Sequence, residues 1–254
     1  MRRGTLGGVF DHVTIRVADR TRSEPFFTEI LQSLGVDQSY STHAFAEWRD
    51  FSLAQADDGH PVTRNVHIGF VAPSREQVDA FWKAGLAAGG VDDGPPGPRP
   101  QYIDDYYGAF LRDPDGNSVE AVHYADQDHR AVVSHVWMRV ADLQKSTAFY
   151  RAILPGAGLL ERYVGDDRAT FRVARGGHGV SFSVVPGAVL TENVHLAFAG
   201  SEEDVRRFHA EATAAGYRDN GMPGERPQYH PGYYAAYVLD PDGHNIEVVD
   251  HHRD

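Results

Sequence analysis

Six residues stand on strand-like segments in two sets of the same types: His12, His67 and Glu120 in the first half of the chain, and His135, His195 and Glu247 in the second. Two imidazoles and one carboxylate form the facial set that suits a divalent metal with open positions, above all Fe(II), while Mn(II) or Zn(II) would also fit. A lone histidine of this kind is more often a solvated or hydrogen-bonded strand residue. Two diverged copies that keep the type, the strand and the face are harder to assign to that bland role. The chain has no cysteine, so any metal must be held by nitrogen and oxygen.

The elements that must carry these residues are legible as periodicities. Asp11 to Val17 alternates, with Val13, Ile15 and Val17 on one face and His12, Thr14 and Arg16 on the other. Phe26, Phe27, Ile30, Leu31 and Leu34 then follow at helical spacing, with Pro25 expected in the first turn and Gly35 as the stop. Strands are expected over 44–48 and 51–54. A second unit opens at Asn65-Val66-His67, where His67 faces away from Val66 and Ile68. Its helix is expected from Ser74, with Gln77 placed for a capping box, up to Gly89-Gly90. The Pro/Gly-rich 92–100 reads as a loop, and strands over 106–111 and 118–124 close the unit. Each unit is thus β-α-β-β-β.

The whole pattern then recurs. Arg139-Val140-Ala141-Asp142 repeats Arg16-Val17-Ala18-Asp19, and Asn193-Val194-His195 repeats Asn65-Val66-His67. Asp240-Pro241-Asp242-Gly243 with Glu247 repeats Asp113-Pro114-Asp115-Gly116 with Glu120. The expected organisation is a flexible N-terminus over 1–8, a domain over 9–125, a linker over 126–132, a second domain over 133–250 and a tail over 251–254. Modules could pair within a repeat or exchange between repeats, and the sequence leaves both open. His251 and His252 read as exposed residues of the tail.

Composition narrows the class. Apolar content of 41% and charged content of 24% are those of a soluble globular protein, and no apolar run reaches membrane-span length. The N-terminal residues lack the apolar core of a signal peptide, so cytoplasmic residence is expected. The net charge of −12 opposes nucleic acid and anionic lipid as partners and leaves a small molecule. A homo-oligomer is compatible with all of this.

On Asp11-His12-Val13, Asn65-Val66-His67, Asn193-Val194-His195 and the two Tyr-Tyr…Asp-Pro-Asp-Gly…Glu segments, the chain resembles a tandem member of the vicinal oxygen chelate superfamily. That superfamily includes glyoxalase I, fosfomycin-resistance enzymes, bleomycin-binding proteins and extradiol dioxygenases. The resemblance implies an α+β fold of four βαβββ modules in two domains, each a curled mixed sheet forming a metal-binding cup. It places ligands on the first strand of each module and on the last strand of the second.

Glyoxalase I is similar but uses a further carboxylate from the last strand of the first module, and Phe51–Ala54 and Val180–Val184 contain none. Bleomycin-binding proteins generally lack the triad. His230, Tyr237, Asp240-Pro241-Asp242-Gly243 and Glu247 resemble the order of the extradiol signature, with Ala236 and Gln228 off its pattern. In the first repeat Ile103 and Phe110 replace His230 and Tyr237. The resemblance therefore implies an extradiol-type Fe(II) dioxygenase at the second domain, with His230 as acid/base and Tyr237 binding the substrate oxygens. The alternatives are a Lewis-acid lyase, isomerase or transferase that needs no dioxygen, and a binding protein whose aromatic cups sequester a ligand.

Overall fold

The computed structural model describes residues 10–125, 127–173 and 180–252. The expected flexible residues 1–8 lie outside them, as do 253–254 of the tail. Four βαβββ modules follow one another. The first is β1 (His12–Val17), α1 (Arg20–Ser33), β2 (Tyr40–Ser41), β3 (Phe45–Trp48) and β4 (Phe51–Gln55). The second is β5 (His67–Val71), α2 (Arg75–Ala87), β6 (Val91–Pro98), β7 (Tyr107–Arg112) and β8 (Ser118–His123). The third is β9 (Val133–Val140), α3 (Leu143–Ile153), β10 (Leu159–Val164), β11 (Ala169–Val173) and β12 (Ser181–Pro186). The fourth is β13 (His195–Ala199), α4 (Glu202–Ala214), β14 (Arg218–Glu225), β15 (Tyr234–Leu239) and β16 (Asn245–Asp250).

Strand alternation decides which side of each sheet is greasy. In β1, Val13, Ile15 and Val17 are fully buried, and the intervening His12, Thr14 and Arg16 keep partial exposure. The apolar faces pack on the helices, where Phe26, Phe27, Ile30 and Leu31 of α1 meet the same core as Phe70 and Phe51. Stacking sheets and helices this way removes the apolar faces from water and leaves the histidine faces turned into the concave side.

The modules do not pair within a repeat. One open eight-stranded sheet runs β14-β15-β16-β13-β1-β4-β3-β2, joining the first module to the fourth. The other runs β10-β11-β12-β9-β5-β8-β7-β6, joining the third to the second. Both are joined at antiparallel first strands, β1 with β13 and β5 with β9. The chain therefore crosses between sheets twice, and the crossings lie against each other. Arg64 and Glu192 exchange backbone hydrogen bonds at 3.1 and 2.9 Å. The buried Thr63 hydroxyl donates to Asn193 O at 2.7 Å, and Thr191 donates to Asn65 O at 2.9 Å. Asn65 and Asn193 take φ of 59° and 56°, a conformation asparagine tolerates better than other side-chain-bearing residues. Their amides donate across the crossing to Leu190 O and Val62 O at 2.9 and 3.0 Å.

Other repeated motifs are also links between sheets. Asp19 and Asp142 cap α1 and α3. The following-module turn reaches back to the same corner: Ala18 N–H donates to Asp115 at 3.1 Å, and Ala141 N–H to Asp242 at 3.1 Å.

Three local expectations are corrected. Pro25 lies inside α1, because capping by Asp19 starts the helix at Arg20. Segment 92–100 is mostly strand: β6 is an edge strand, where Pro95, Pro96 and Pro98 forfeit no ladder bond a neighbour needs, and register shifts near Gly94 absorb the kinks. Ser74 caps α2 by accepting from Gln77 N–H, but the reciprocal capping box is found at Ser201 and Asp204 of α4.

Replacing Asn193 by alanine should cost about 2–3 kcal/mol, the sum of a left-handed backbone penalty and a lost hydrogen bond. Asn193→Gly should relieve the first part and cost about 1 kcal/mol. Chemical denaturation of both variants checks the order, and equal losses would contradict the assignment.

Candidate metal centres

The crossing brings together residues from different repeats. His12, from β1, meets His195 of β13 and Glu247 of β16; His67 of β5 meets Glu120 of β8 and His135 of β9. The grouping by repeat, with His135 beside His195 and Glu247, is therefore corrected: His12 and His135 have traded places. The physical reason is the register. His12 and Glu247 both stand opposite Ala197, and His195 is one same-face step along β13. Gly69 is the matching hub of the other cup, opposite both His135 and Glu120. A Cβ there would lie 2.2 Å from the His135 ring, so glycine lets that ring come closer than it could beside the alanine that fills the same place in the first cup.

In the first cup His12 Nε2 and His195 Nε2 are 3.0 Å apart, and Glu247 Oε2 is 2.9 Å from His195 and 3.5 Å from His12. In the second, His67 Nε2 is 3.1 Å from both Glu120 Oε2 and His135 Nε2, and His135 to Glu120 is 3.3 Å. Three donors on one metal with bonds of roughly 2.0–2.3 Å would lie about 3 Å from one another. Both donor sets fit a divalent cation on that measure. Each remaining ring nitrogen is engaged from behind: His12 by Asp11 at 2.9 Å, His195 by the Asn245 amide at 2.7 Å, His67 by Ser118 at 2.9 Å and His135 by Ser134 at 3.3 Å. This fixes the rings with Nε2 toward the centre; for His195 to offer a bare Nε2 to a metal, the Asn245 amide must turn its oxygen to Nδ1, giving up its bond to Asn220. Each carboxylate is also aimed. Tyr233 donates to Glu247 Oε1 at 2.7 Å and Tyr106 to Glu120 Oε1 at 2.8 Å, which leaves the other oxygen to the histidines.

Electrostatics separate the two cups. Burial alone would raise both glutamates, each 1% exposed, but the histidines reverse it: Glu247 is held below the usual carboxylate range and Glu120 goes to about 2. Burial pushes His67 and His195 down. His12 is likewise largely shielded from water, which lowers it, yet its hydrogen bond to Asp11 and the charges of Glu247, Asp11 and Glu47 raise it to about 9. Glu47 matters for the reading of β4. No carboxylate lies on Phe51–Gln55, but Glu47 stands opposite Ser52 on β3 and brings its charge toward the cup from there.

Tyr237 stands directly across from Glu247, with its ring 6.3 Å from that of His195. Its hydroxyl is buried with no close hydrogen bond, and burial, followed by the charge of Glu247 and a looser interaction with that carboxylate, holds its phenol well above the usual range. Phe110 is its counterpart opposite Glu120. His230 lies one ring beyond Tyr233, at 5.2 Å between centroids. Its Nδ1 contacts Pro231 O at 2.7 Å and its Nε2 contacts His251 Nδ1 at 2.9 Å. His251 in turn binds Asp11 at 2.9 Å, so the expectation of an exposed tail residue is corrected there: its side chain is 23% exposed. The sequence reading missed Asp11 and His251 as parts of the site. A signal was present, because the equivalents of Asp11 and His251 in the other repeat are Ser134 and Tyr124.

Comparison with known proteins follows the same lines. The family described as Glyoxalase/Bleomycin resistance protein/Dioxygenase superfamily matches residues 9–121 and 132–248. The metallothiol transferase FosB of Shouchella clausii is 26% identical over 120 residues, 46% of this chain and 77% of that protein. Glyoxalase I of Zea mays superposes with a TM-score of 0.66 at 19% identity, covering 95% of this chain and 92% of that one. A candidate dioxygenase of Bacillus subtilis superposes with a TM-score of 0.65 at 14% identity, covering 99% and 87%. At these identities the two solved structures speak for the fold.

Because a metal needs the neutral imidazole, it must displace the proton that Asp11 helps His12 to hold. Apparent Mn(II) affinity of the His12 cup should therefore rise about tenfold per pH unit up to about 9 and then level. The titration is made in Glu120→Ala protein, which keeps this cup alone. Adding Asp11→Asn should move the plateau to lower pH, and an unmoved plateau would contradict the role given to Asp11.

Proposed function

We propose that this chain, which belongs to the glyoxalase/bleomycin resistance protein/dioxygenase superfamily, is a divalent-metal enzyme working at the cup of His12, His195 and Glu247. Its reaction is extradiol-type cleavage by Fe(II) of a small aromatic substrate with two neighbouring oxygens. The observation that carries this reading is the unequal equipment of two otherwise matched cups. One has Tyr237, His230 and Asp11 around the triad; the other has Phe110, Ile103 and Ser134.

When bound, the metal supplies Lewis acidity and one-electron chemistry toward a diol and dioxygen. The rest is the work of side chains. Asp11 and the Asn245 amide orient the two imidazoles, and Tyr233 turns one Glu247 oxygen inward. The buried Tyr237 hydroxyl makes no close hydrogen bond, only a looser interaction with Glu247, and is free to turn to a substrate oxygen. His230 acts as acid/base, moving a proton to and from a substrate oxygen at its Nε2 when the His251 contact opens. Tyr229 and Tyr233 give that side of the cup aromatic walls suited to a flat ring.

Glu47 favours a second reading, Lewis-acid isomerisation or transfer without dioxygen, since a carboxylate near the triad offers another base. Oxygen uptake decides between them. Fe(II)-loaded protein offered a panel of catechols should consume one dioxygen per diol, with both atoms found in a ring-opened product. Tyr237→Phe and His230→Ala should each lower kcat, the latter by about 100-fold or more. No uptake with any diol, together with turnover of an epoxide or hemithioacetal by the Mn(II) form that Glu47→Gln abolishes, would replace the first reading by the second.

A further inference from the structure

The two cups differ along one row of side chains beside the triad. Residues opposite one another on paired strands point to the same side of the sheet. In the first cup the row runs from His195 through Thr14 and Ser52 to Glu47. In the second, the same register runs from His67 through Trp137 and Ser183 to Thr170. The hydroxyl pair is kept, Thr14 with Ser52 at 2.7 Å and Thr170 with Ser183 at 2.8 Å. What changes is that an indole replaces a threonine next to the triad, and a threonine replaces a carboxylate at the far end.

The indole is turned away from the core. Val136 and Met138, its neighbours in β9, are fully buried on the helix side, whereas Trp137 is 36% exposed on the side of His135. Among the described residues it makes no hydrogen bond and meets no other ring. The other two tryptophans are occupied: Trp48 is fully buried, and Trp82 donates to Asp92 at 3.0 Å. A large apolar ring left facing a concave site offers a face for a ligand to cover.

Other exchanges run the same way. Phe110 stands opposite Glu120 where Tyr237 stands opposite Glu247. Ile103, 45% exposed, sits in the loop that sends Tyr106 to Glu120, where the other cup has His230. Each exchange makes this cup more apolar or less acidic while the triad is kept. With a divalent cation in place, one carboxylate leaves a net positive charge, and Thr170 adds nothing to offset it where Glu47 would.

We propose that the cup of His67, Glu120 and His135 is a second binding site, for a flat aromatic acid whose carboxylate and neighbouring hydroxyl face the triad while its ring lies on Trp137. The indole supplies stacking area, and the Ser183–Thr170 hydroxyls border the ring without repelling an anion. This site is separate from the cup given to the diol and does not depend on the reading of that cup. It also gives the two halves of the chain different ligands: Glu47 disfavours an acid at one cup, and Thr170 admits it at the other.

The test uses zinc-loaded Glu247→Ala protein, which keeps this cup alone, with salicylate as the probe and catechol as the uncharged comparison. Calorimetry should show one salicylate per chain, bound several-fold more tightly than catechol. The indole N–H signal of Trp137, assigned by its loss in Trp137→Phe, should shift on binding. Adding Trp137→Thr should weaken salicylate about 10-fold with zinc content unchanged, and adding Trp137→Phe should keep most of the affinity. Thr170→Glu should weaken salicylate several-fold and leave catechol nearly as it was. Full affinity in Trp137→Thr would overturn the role of the indole. Catechol bound as tightly as salicylate, or an unmoved Thr170→Glu, would overturn the acidic ligand. No binding at all, or binding that persists when Glu120→Ala is added, would overturn the site. Because the Glu247 cup is disabled throughout, a wild type that turns over no diol would strike the dioxygenase reading alone, and these titrations would still decide the proposal.

Discussion

Everything in this molecule depends on one crossing, where Thr63 to Asn65 and Thr191 to Asn193 lie back to back. Buried hydroxyls and amides satisfy the carbonyls of the opposite strand there, and two asparagines turn the chain in a left-handed conformation. A buried polar group left unpaired is costly, so the two crossings hold each other in place. Their effect is to send the first module to the fourth and the second to the third. Each carboxylate is then cornered by imidazoles from both halves of the chain, with a tyrosine on its far oxygen. Neither repeat holds a complete triad by itself.

The pseudo-symmetry this creates makes the differences between cups informative. Backbone, triad and carboxylate-binding tyrosine are shared. The hub residue is not, since Gly69 lets the His135 ring approach where Ala197 stands in the other cup. Nor is the surrounding chemistry. Around Glu120 the supporting groups are two serine hydroxyls, a phenylalanine and a stacked tyrosine pair; around Glu247 they include a carboxylate, two histidines and a buried tyrosine hydroxyl with no close hydrogen bond. A duplicated fold thus holds one cup equipped for proton handling beside one that is not.

Much of this was legible in the sequence, for a physical reason. Alternation along β1, β5, β9 and β13 fixes which side each histidine takes, because a strand period of two leaves no third choice. The six triad residues and the four βαβββ units follow from it. Which triad a histidine joins is not a local property. It depends on the pairing of β1 with β13, which no periodicity encodes. The Asn-Val-His motifs mark the place where that pairing is decided, but their asparagines read as motif letters until their φ angles and partners are known. Edge strand β6 was hidden because three prolines resemble a loop unless the missing neighbour is known. His251 was hidden because it lies close to the end of the chain, and only the fold brings it against Asp11.

The central claim is that each centre is built across the repeats, and double variants test it most directly. Metal stoichiometry is measured on protein purified without a histidine tag and reconstituted anaerobically with Fe(II). If His12 shares a centre with Glu247, the double variant His12→Ala/Glu247→Ala damages one cup and keeps one equivalent, while His12→Ala/Glu120→Ala damages both and keeps none. The reverse pattern, with one equivalent left in His12→Ala/Glu120→Ala and none in His12→Ala/Glu247→Ala, would mean that each repeat builds its own centre and would contradict the account.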